Sequence, residues 1–179
     1  MTPDIQPTLH GPTLTLRPTV AEDFAALCGA ASDPAIWTQH PDSERYKREV
    51  FRQRYFNGAL ESAGALTILH SQHQRIIGCS RYYEWQPQKK SIAIGYTFIQ
   101  RAYWGTGTNG ELKDLMLRHI AQWADTVWFH VGESNLRSRR AVEKLGAKLS
   151  HREAREQHGK HFNQLYYLLD LPSFLAHTG

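Results

Sequence analysis

Residues 92–120 constrain this chain more than any other stretch. They read IAIGYTFIQRAYWGTGTNGELKDLMLRHI, an alternating apolar strand, a glycine-rich turn and an amphipathic helix. The backbone N–H groups of a helix's first turn have no partner inside the helix. The helix dipole adds partial positive charge at the same end. A strand that feeds a glycine turn and then a helix therefore builds an anion site suited to a pyrophosphate.

Two phosphorylated cofactors compete for this loop. Gly105-Thr106-Gly107-Thr108-Asn109-Gly110 has the form GxGxxG, and Glu133 follows at roughly the distance of a ribose-binding acid. That reading is NAD and an oxidoreductase. Context weighs against it. Gln100 to Trp104 separates the strand from the first glycine, and about a hundred residues, including strands that read as hairpin partners, come before. The remaining chain is too short for two mononucleotide-binding halves.

A second motif decides between them. Glu133-Ser-Asn135-Leu-Arg-Ser138-Arg-Arg-Ala-Val-Glu143-Lys144-Leu-Gly146 follows an apolar strand at 127–131. With Trp104-Gly-Thr-Gly107-Thr-Asn109 it resembles the GCN5-related N-acetyltransferases, and within them the branch that includes the ribosomal-protein N-terminal acetyltransferases. The resemblance runs from Leu14-Thr-Leu-Arg-Pro18 to the last strand. Asn109 departs from the family's Gly or Ala, but asparagine tolerates unusual backbone angles and can cap a helix.

A chain of 179 residues, 41% of them hydrophobic, suits one domain with a full core. The expectation is a flexible tail over residues 1–12 and a single acetyltransferase domain over 13–179. No apolar run approaches membrane-spanning length, and the N-terminus lacks the pattern of a signal peptide. Cys28 and Cys79 sit in apolar stretches and read as buried thiols in a reducing compartment, so a cytoplasmic location is expected. The net charge of +4 permits an anionic cofactor. The basic residues are scattered and form no nucleic-acid module, so no nucleic-acid partner is expected. The run Arg137-Ser138-Arg139-Arg140 is either a solvated helix face or a set of phosphate contacts. The pairs His70/His73 and His158/His161 lack metal-binding spacing, and no metal is expected.

The patterns predict a strand at 13–17 and a helix capped by Thr19 running through Ala31. A loop at 36–41 and a helix at 44–62 follow, the latter with Tyr46, Val50, Tyr55, Phe56, Ala59 and Leu60 on its apolar side. Next come strands at 64–71, 75–84 and 89–99, then a helix at 109–123 with Leu112, Leu115, Met116, His119/Ile120 and Trp123 on one stripe. A strand at 127–131, a helix at 135–145 and a hairpin turning at His158-Gly159-Lys160 complete the chain. This order predicts an α/β (α+β) fold with a mixed, mostly antiparallel sheet and helices on both faces. In the strand at 92–99, Ile92, Ile94, Tyr96 and Phe98 are expected in the core. Ala93, Gly95 and Thr97 would line open volume on the opposite face.

The family resemblance implies an acetyl-CoA-dependent transfer to a primary amine by direct attack in a ternary complex. Coenzyme A would contact Trp104, Gly105, Thr106, Gly107, Thr108, Asn109 and Gly110, pair with Thr97, Phe98 and Ile99 like an added strand, and meet Asn135 and Ser138. A strand N–H would polarise the thioester carbonyl. Relatives place a Glu where Ala93 stands and a Tyr where Val142 stands, so the usual acid–base pair is missing. Ser138 is the candidate thiolate contact. Glu133, His130, His40 or a water chain are the candidate bases. An α-amine, with its lower pKa of about 7.7–8.0, needs the least help. Trp37, His40, Tyr82 and Tyr83 are the expected acceptor-binding residues. Protein N-termini, polyamines, amino acids and aminoglycosides all remain open as acceptors. A non-catalytic acyl-CoA-binding protein of the same fold is the rival reading, and the final hairpin could support a homodimer.

Overall fold

A computed structural model describes all 179 residues. Eight strands form one sheet: β1 (Leu9–His10), β2 (Leu14–Pro18), β3 (Ala65–His70), β4 (Arg75–Gln86), β5 (Ser91–Ile99), β6 (Thr126–Gly132), β7 (Lys148–Gln157) and β8 (Lys160–Asp170). Their order is β1-β2-β3-β4-β5-β6-β8-β7, and all neighbours are antiparallel except β5 and β6. The helices are α1 (Phe24–Ala30), α2 (Arg48–Phe51), α3 (Asn57–Glu61), α4 (Thr108–Ile120), α5 (Leu136–Lys144) and α6 (Leu171–Thr178).

Strand alternation divides the core in two. Leu66 and Ile68 of β3 pack with Leu112, Met116, Leu117 and Ile120 of α4, Val142 of α5 and Phe174 of α6. Ala65, Cys79 and Phe98 pack on the other face with Leu27 of α1, Phe51 of α2 and Ala59 of α3. The first core draws on β2 to β6 and β8, whereas the second takes its buried sheet residues from β3, β4 and β5 alone. This is the mixed sheet expected from the sequence. It is not a doubly wound fold, so the structure removes the basis for the NAD reading.

Several local expectations change. The first twelve residues are not a loose tail: Pro3 and Pro7 are buried, Ile5 packs on the main core, and β1 pairs with β2. Thr19 does not cap a helix, since its hydroxyl bonds Thr67; the Asp23 carboxylate instead accepts from the Val20 N–H. The segment from Arg48 to Glu61 is helical but has a π turn at Arg52–Phe56. The extra residue per turn rotates the apolar stripe beyond it and leaves Leu60 exposed, while Phe51, just before the turn, is buried. A short helix after β8, α6, with Asp170 bonding the Ser173 N–H at its start, has no counterpart in the sequence reading.

Candidate active site

β5 and β6 are parallel for only three residue pairs, Ser91 with Thr126 through Ala93 with Trp128. Beyond them the strands diverge. β6 continues to bond β8 and β5 continues to bond β4, so their facing edges are left open. The open edge of β5 offers unpaired backbone groups to an extended, amide-bearing ligand.

β5 is also bulged where it borders this opening. Cys79 faces Phe98 and Arg81 faces Gly95, so Ser80 opposes both Tyr96 and Thr97. Tyr96 has φ +52°, a left-handed conformation that is costly for a bulky residue. Its carbonyl accepts from the Tyr55 hydroxyl, and its ring lies 3.8 Å beneath the Arg81 guanidinium. The π turn carries Tyr55, so the helix irregularity and the strand irregularity are coupled through one bond. The bulge also inverts the later half of β5. Phe98 enters the core beside α1–α3, while Thr97 and Ile99 face the α4 side. The expected single-faced alternation of Tyr96 and Phe98 with Ile92 and Ile94 therefore does not occur.

The glycine loop follows one short turn later. Gly105 and Gly107 have φ +70° and +84°, and no atom lies near where a Cβ would stand. Conformation, not crowding, is the reason for glycine at both positions. The N–H groups from Gly105 to Gly110 find no acceptor in the protein. Thr106 bonds the Tyr103 carbonyl at 2.6 Å and Thr108 at 2.8 Å, tying the loop to itself. The Trp104 indole donates to the Ile99 carbonyl at 3.0 Å, and the Arg137 guanidinium covers its ring at 3.7 Å. This loop fits a pyrophosphate: its donors are free, converge at the start of a thirteen-residue helix and stand beside a cation. Asn135 lies across the opening, buried at the start of α5, where its side chain accepts from the Ser138 N–H. Ser138 is half-buried on that first turn.

A cleft of about 350 Å³ lies on the α1–α3 face of the opening, lined by residues including His40, Tyr83, Glu84, Tyr96, His130 and Glu153. Of the four residues expected to bind the acceptor, His40 and Tyr83 line this cleft. Trp37 and Tyr82 do not. Trp37 is buried with its indole on the Ala31 carbonyl, because its ring fills the core against Tyr55 and Phe98. Tyr82 is buried on the opposite face, its hydroxyl donating to the Met116 carbonyl.

The candidate bases also separate. His40 accepts the Asp42 N–H at Nδ1, and burial, with Arg45 nearby, holds its pKa down to about 3. Glu133 is engaged by Asn163 and Arg152, which hold its carboxyl below the usual range. His130 lines the cleft between Tyr83 and Tyr166, with Nε2 at 4.0 Å from Glu84. Burial holds its pKa below the usual value although Glu84 acts in the other direction, so it is neutral at pH 7 and able to accept a proton.

One residue was missed. Lys113 of α4 is 5% exposed, and its Nζ donates to Thr97 Oγ1 at 2.7 Å. Burial pushes its amine down to about 7. The signal was present: residue 113 lies three and four positions before Met116 and Leu117, on the helix's buried stripe.

An acyltransferase is the class that this fold and opening define. The Acetyltransferase (GNAT) domain family matches residues 13–148, and the chain belongs to that family. Its fold is similar to that of a GCN5-related N-acetyltransferase from Brucella melitensis (15% identity, 96% of this chain and 81% of that one, TM-score 0.84). It is also similar to a GNAT-family acetyltransferase from Bacillus anthracis (15% identity, 93% and 99%, TM-score 0.75). A third similar structure is spermidine N-acetyltransferase from Vibrio cholerae in complex with CoA and spermine (15% identity, 92% and 99%, TM-score 0.71). No curated protein gives a significant sequence match.

Proposed function

We propose that this acetyltransferase transfers an acetyl group from acetyl-CoA to an α-amine, such as a peptide N-terminus, in a ternary complex. The observation that carries the coenzyme assignment is the open edge of β5 next to the free N–H groups of Gly105 to Gly110. Those N–H groups would hold the pyrophosphate, and Arg137 would add charge beside it. Thr97, Phe98 and Ile99 would pair with the pantetheine arm, and Asn135 would meet its amide from the β6 side. Ser138 would stand near the sulfur. Acetyl-CoA supplies an activated acetyl thioester; the protein supplies donors and alignment. The bulge at Tyr96 borders the opening, and a backbone N–H of β5 there would polarise the thioester carbonyl.

His130 supports an α-amine as the acceptor. A neutral imidazole with a pKa below its usual value matches an α-ammonium at about 7.7–8.0 far better than an alkylammonium near 10.4. Glu84 and Glu153 line the cleft beside Arg45, Arg155 and Glu156, so its carboxylates outnumber its guanidinium groups by one, a balance that favours an incoming cation. The same balance favours a second reading, a polyamine acceptor.

Thiol release from acetyl-CoA, followed with three acceptors, tests this. A peptide with a free N-terminus should be turned over. The same peptide with a blocked N-terminus and an internal lysine should not. Spermidine as the preferred acceptor would replace the α-amine reading with the polyamine one. Acetyl-CoA binding without turnover of any acceptor would leave a non-catalytic acyl-CoA-binding protein. His130→Ala should lower kcat about 100-fold or more.

A further inference from the structure

Lys113 has no role in the transfer as proposed. Its Nζ has one bonding partner, the neutral Thr97 hydroxyl. The carboxylates adjacent in sequence are engaged elsewhere, Glu111 with Thr13 and Leu14 and Asp114 with Arg118. From the elements packed against α4, β2 presents Leu14 and Leu16, β5 presents Ile92, Ile94 and Ile99, and α5 presents Val142. β4 presents Tyr82, whose hydroxyl is spent on the Met116 carbonyl. A buried amine with no counter-ion exchanges its proton readily near neutral pH.

Thr97 Oγ1 also bonds Ser80 Oγ at 2.8 Å. Ser80 is wholly buried, whereas Thr97 is half-buried at the opening. If Thr97 donated to Ser80, the Ser80 proton would be stranded in the core at a desolvation cost. Ser80 therefore donates. Thr97 accepts from both Ser80 and Lys113, and its own proton is free to point away from both, toward the opening.

We infer that Lys113, acting through the Thr97 hydroxyl, supplies the proton taken up by the coenzyme's departing thiolate. The inference rests on the acetyl-CoA reading and fills the role for which Val142 offers no phenol. The acceptor nitrogen forms the C–N bond, and the C–S bond breaks with its electron pair left on sulfur. Thr97 passes its hydroxyl proton to sulfur and takes one from the Lys113 ammonium. The neutral lysine regains a proton from water, and the proton lost by the acceptor nitrogen goes to His130. Lys113 is a positioning residue here, and Thr97 touches the reacting atoms.

The test titrates coenzyme A bound to the wild type, Lys113→Met, Thr97→Val, Thr97→Ser and Ser138→Ala, following thiolate ultraviolet absorption against pH. The bound thiol should titrate at least about one unit higher in Lys113→Met and Thr97→Val than in the wild type, with Thr97→Ser unchanged. Turnover should fall about 100-fold in kcat for Lys113→Met, with KM for acetyl-CoA held and the pH profile altered. Thr97→Val carries the same comparison independently of Lys113→Met. Unchanged thiol titration in both variants overturns the inference, as does a shift in Ser138→Ala alone. Failure of the wild type to bind coenzyme A at all would instead refute the acetyl-CoA reading.

A second inference stands on β7. All ten of its residues are exposed, it is the outer edge of the sheet, and its partner β8 runs past the end of β6. A two-stranded ribbon with a bare edge is a template for another strand. In a two-fold antiparallel pairing, adjacent residue pairs alternate in hydrogen-bonding class, so one residue must face its own copy. Centring on Ala154 sets Arg152 against Glu156 and Glu153 against Arg155 in both directions; centring on any of those four charges sets it against itself. We propose that β7 pairs with β7 of a second copy in that register. Sedimentation should give a dimer for the wild type, a monomer for Arg155→Glu and a restored dimer for Glu153→Arg with Arg155→Glu. A monomeric wild type, or a dimer indifferent to Arg155→Glu, overturns it.

Discussion

Replacing Lys113 with methionine should make the protein more stable, and by an amount that depends on pH. The unfolded amine carries its proton below about 10.5 and the folded one below about 7. Between those values the unfolded chain holds one more proton, so wild-type stability rises with pH through this window. The penalty of burying the amine is complete below it. A separation of this size corresponds to about 5 kcal/mol at about 1.4 kcal/mol per pH unit. Methionine keeps the volume and gives up one hydrogen bond to Thr97, about 1 kcal/mol. The variant should thus exceed the wild type by about 3–4 kcal/mol near pH 6, and by about 1 kcal/mol near pH 9. Urea unfolding of both proteins at a series of pH values measures this through their midpoints at equal slopes. A difference that stays constant from about pH 6 to 9 would refute the reasoning, because it would mean that the buried amine keeps its ordinary pKa.

Gly107→Val should abolish calorimetric binding of acetyl-CoA while costing about 1–2 kcal/mol in stability, since a β-branched residue resists the φ of +84° that the loop requires. Tyr55→Phe removes the hydroxyl that holds the Tyr96 carbonyl; kcat should fall at least about tenfold, acetyl-CoA should still bind, and stability should drop by about 1–2 kcal/mol in urea. Asp42→Asn should cost about 3–5 kcal/mol, because Asp42 and Arg45 are both buried and the arginine would lose its counter-charge. Burial works against the Asp42 charge, but Arg45 and Arg54 outweigh it and hold the pKa below its usual value. The stability that Asp42 contributes is present above about 3.8 and lost as pH falls through the lower folded value. Asp42→Asn should therefore remove part of the wild type's unfolding in strong acid, read by circular dichroism.

Period-2 and period-3.6 patterns placed every long strand and the two helices that border the opening, because burial of one face enforces those periods. They failed where the chain departs from its period. The π turn at Arg52–Phe56 and the bulge at Tyr96 each insert a residue; the first rotates the helix's apolar stripe and the second exchanges the faces of the strand after it, which is why Leu60 is exposed and Phe98 joins the core beside α1–α3 and not that of Ile92 and Ile94. Nothing local announces either insertion; each is held by a bond to the other element. Trp37 and Tyr82 were misassigned for a different reason, since an aromatic residue near a site is equally suited to the core beneath it. Lys113 is the instructive case. A lysine on a buried helix stripe contradicts the patterning rule, and its burial costs stability that no charged partner returns. Such local conflicts collect where function requires them. Here the conflict lies on α4, the helix whose N-terminus carries the anion site, and the lysine reaches Thr97 in the bulged part of β5. The same inserted residue that turns Thr97 toward α4 gives the lysine its one partner. Straightening β5 would turn Thr97 to the other face and leave Lys113 with none, so bulge and lysine form a single device.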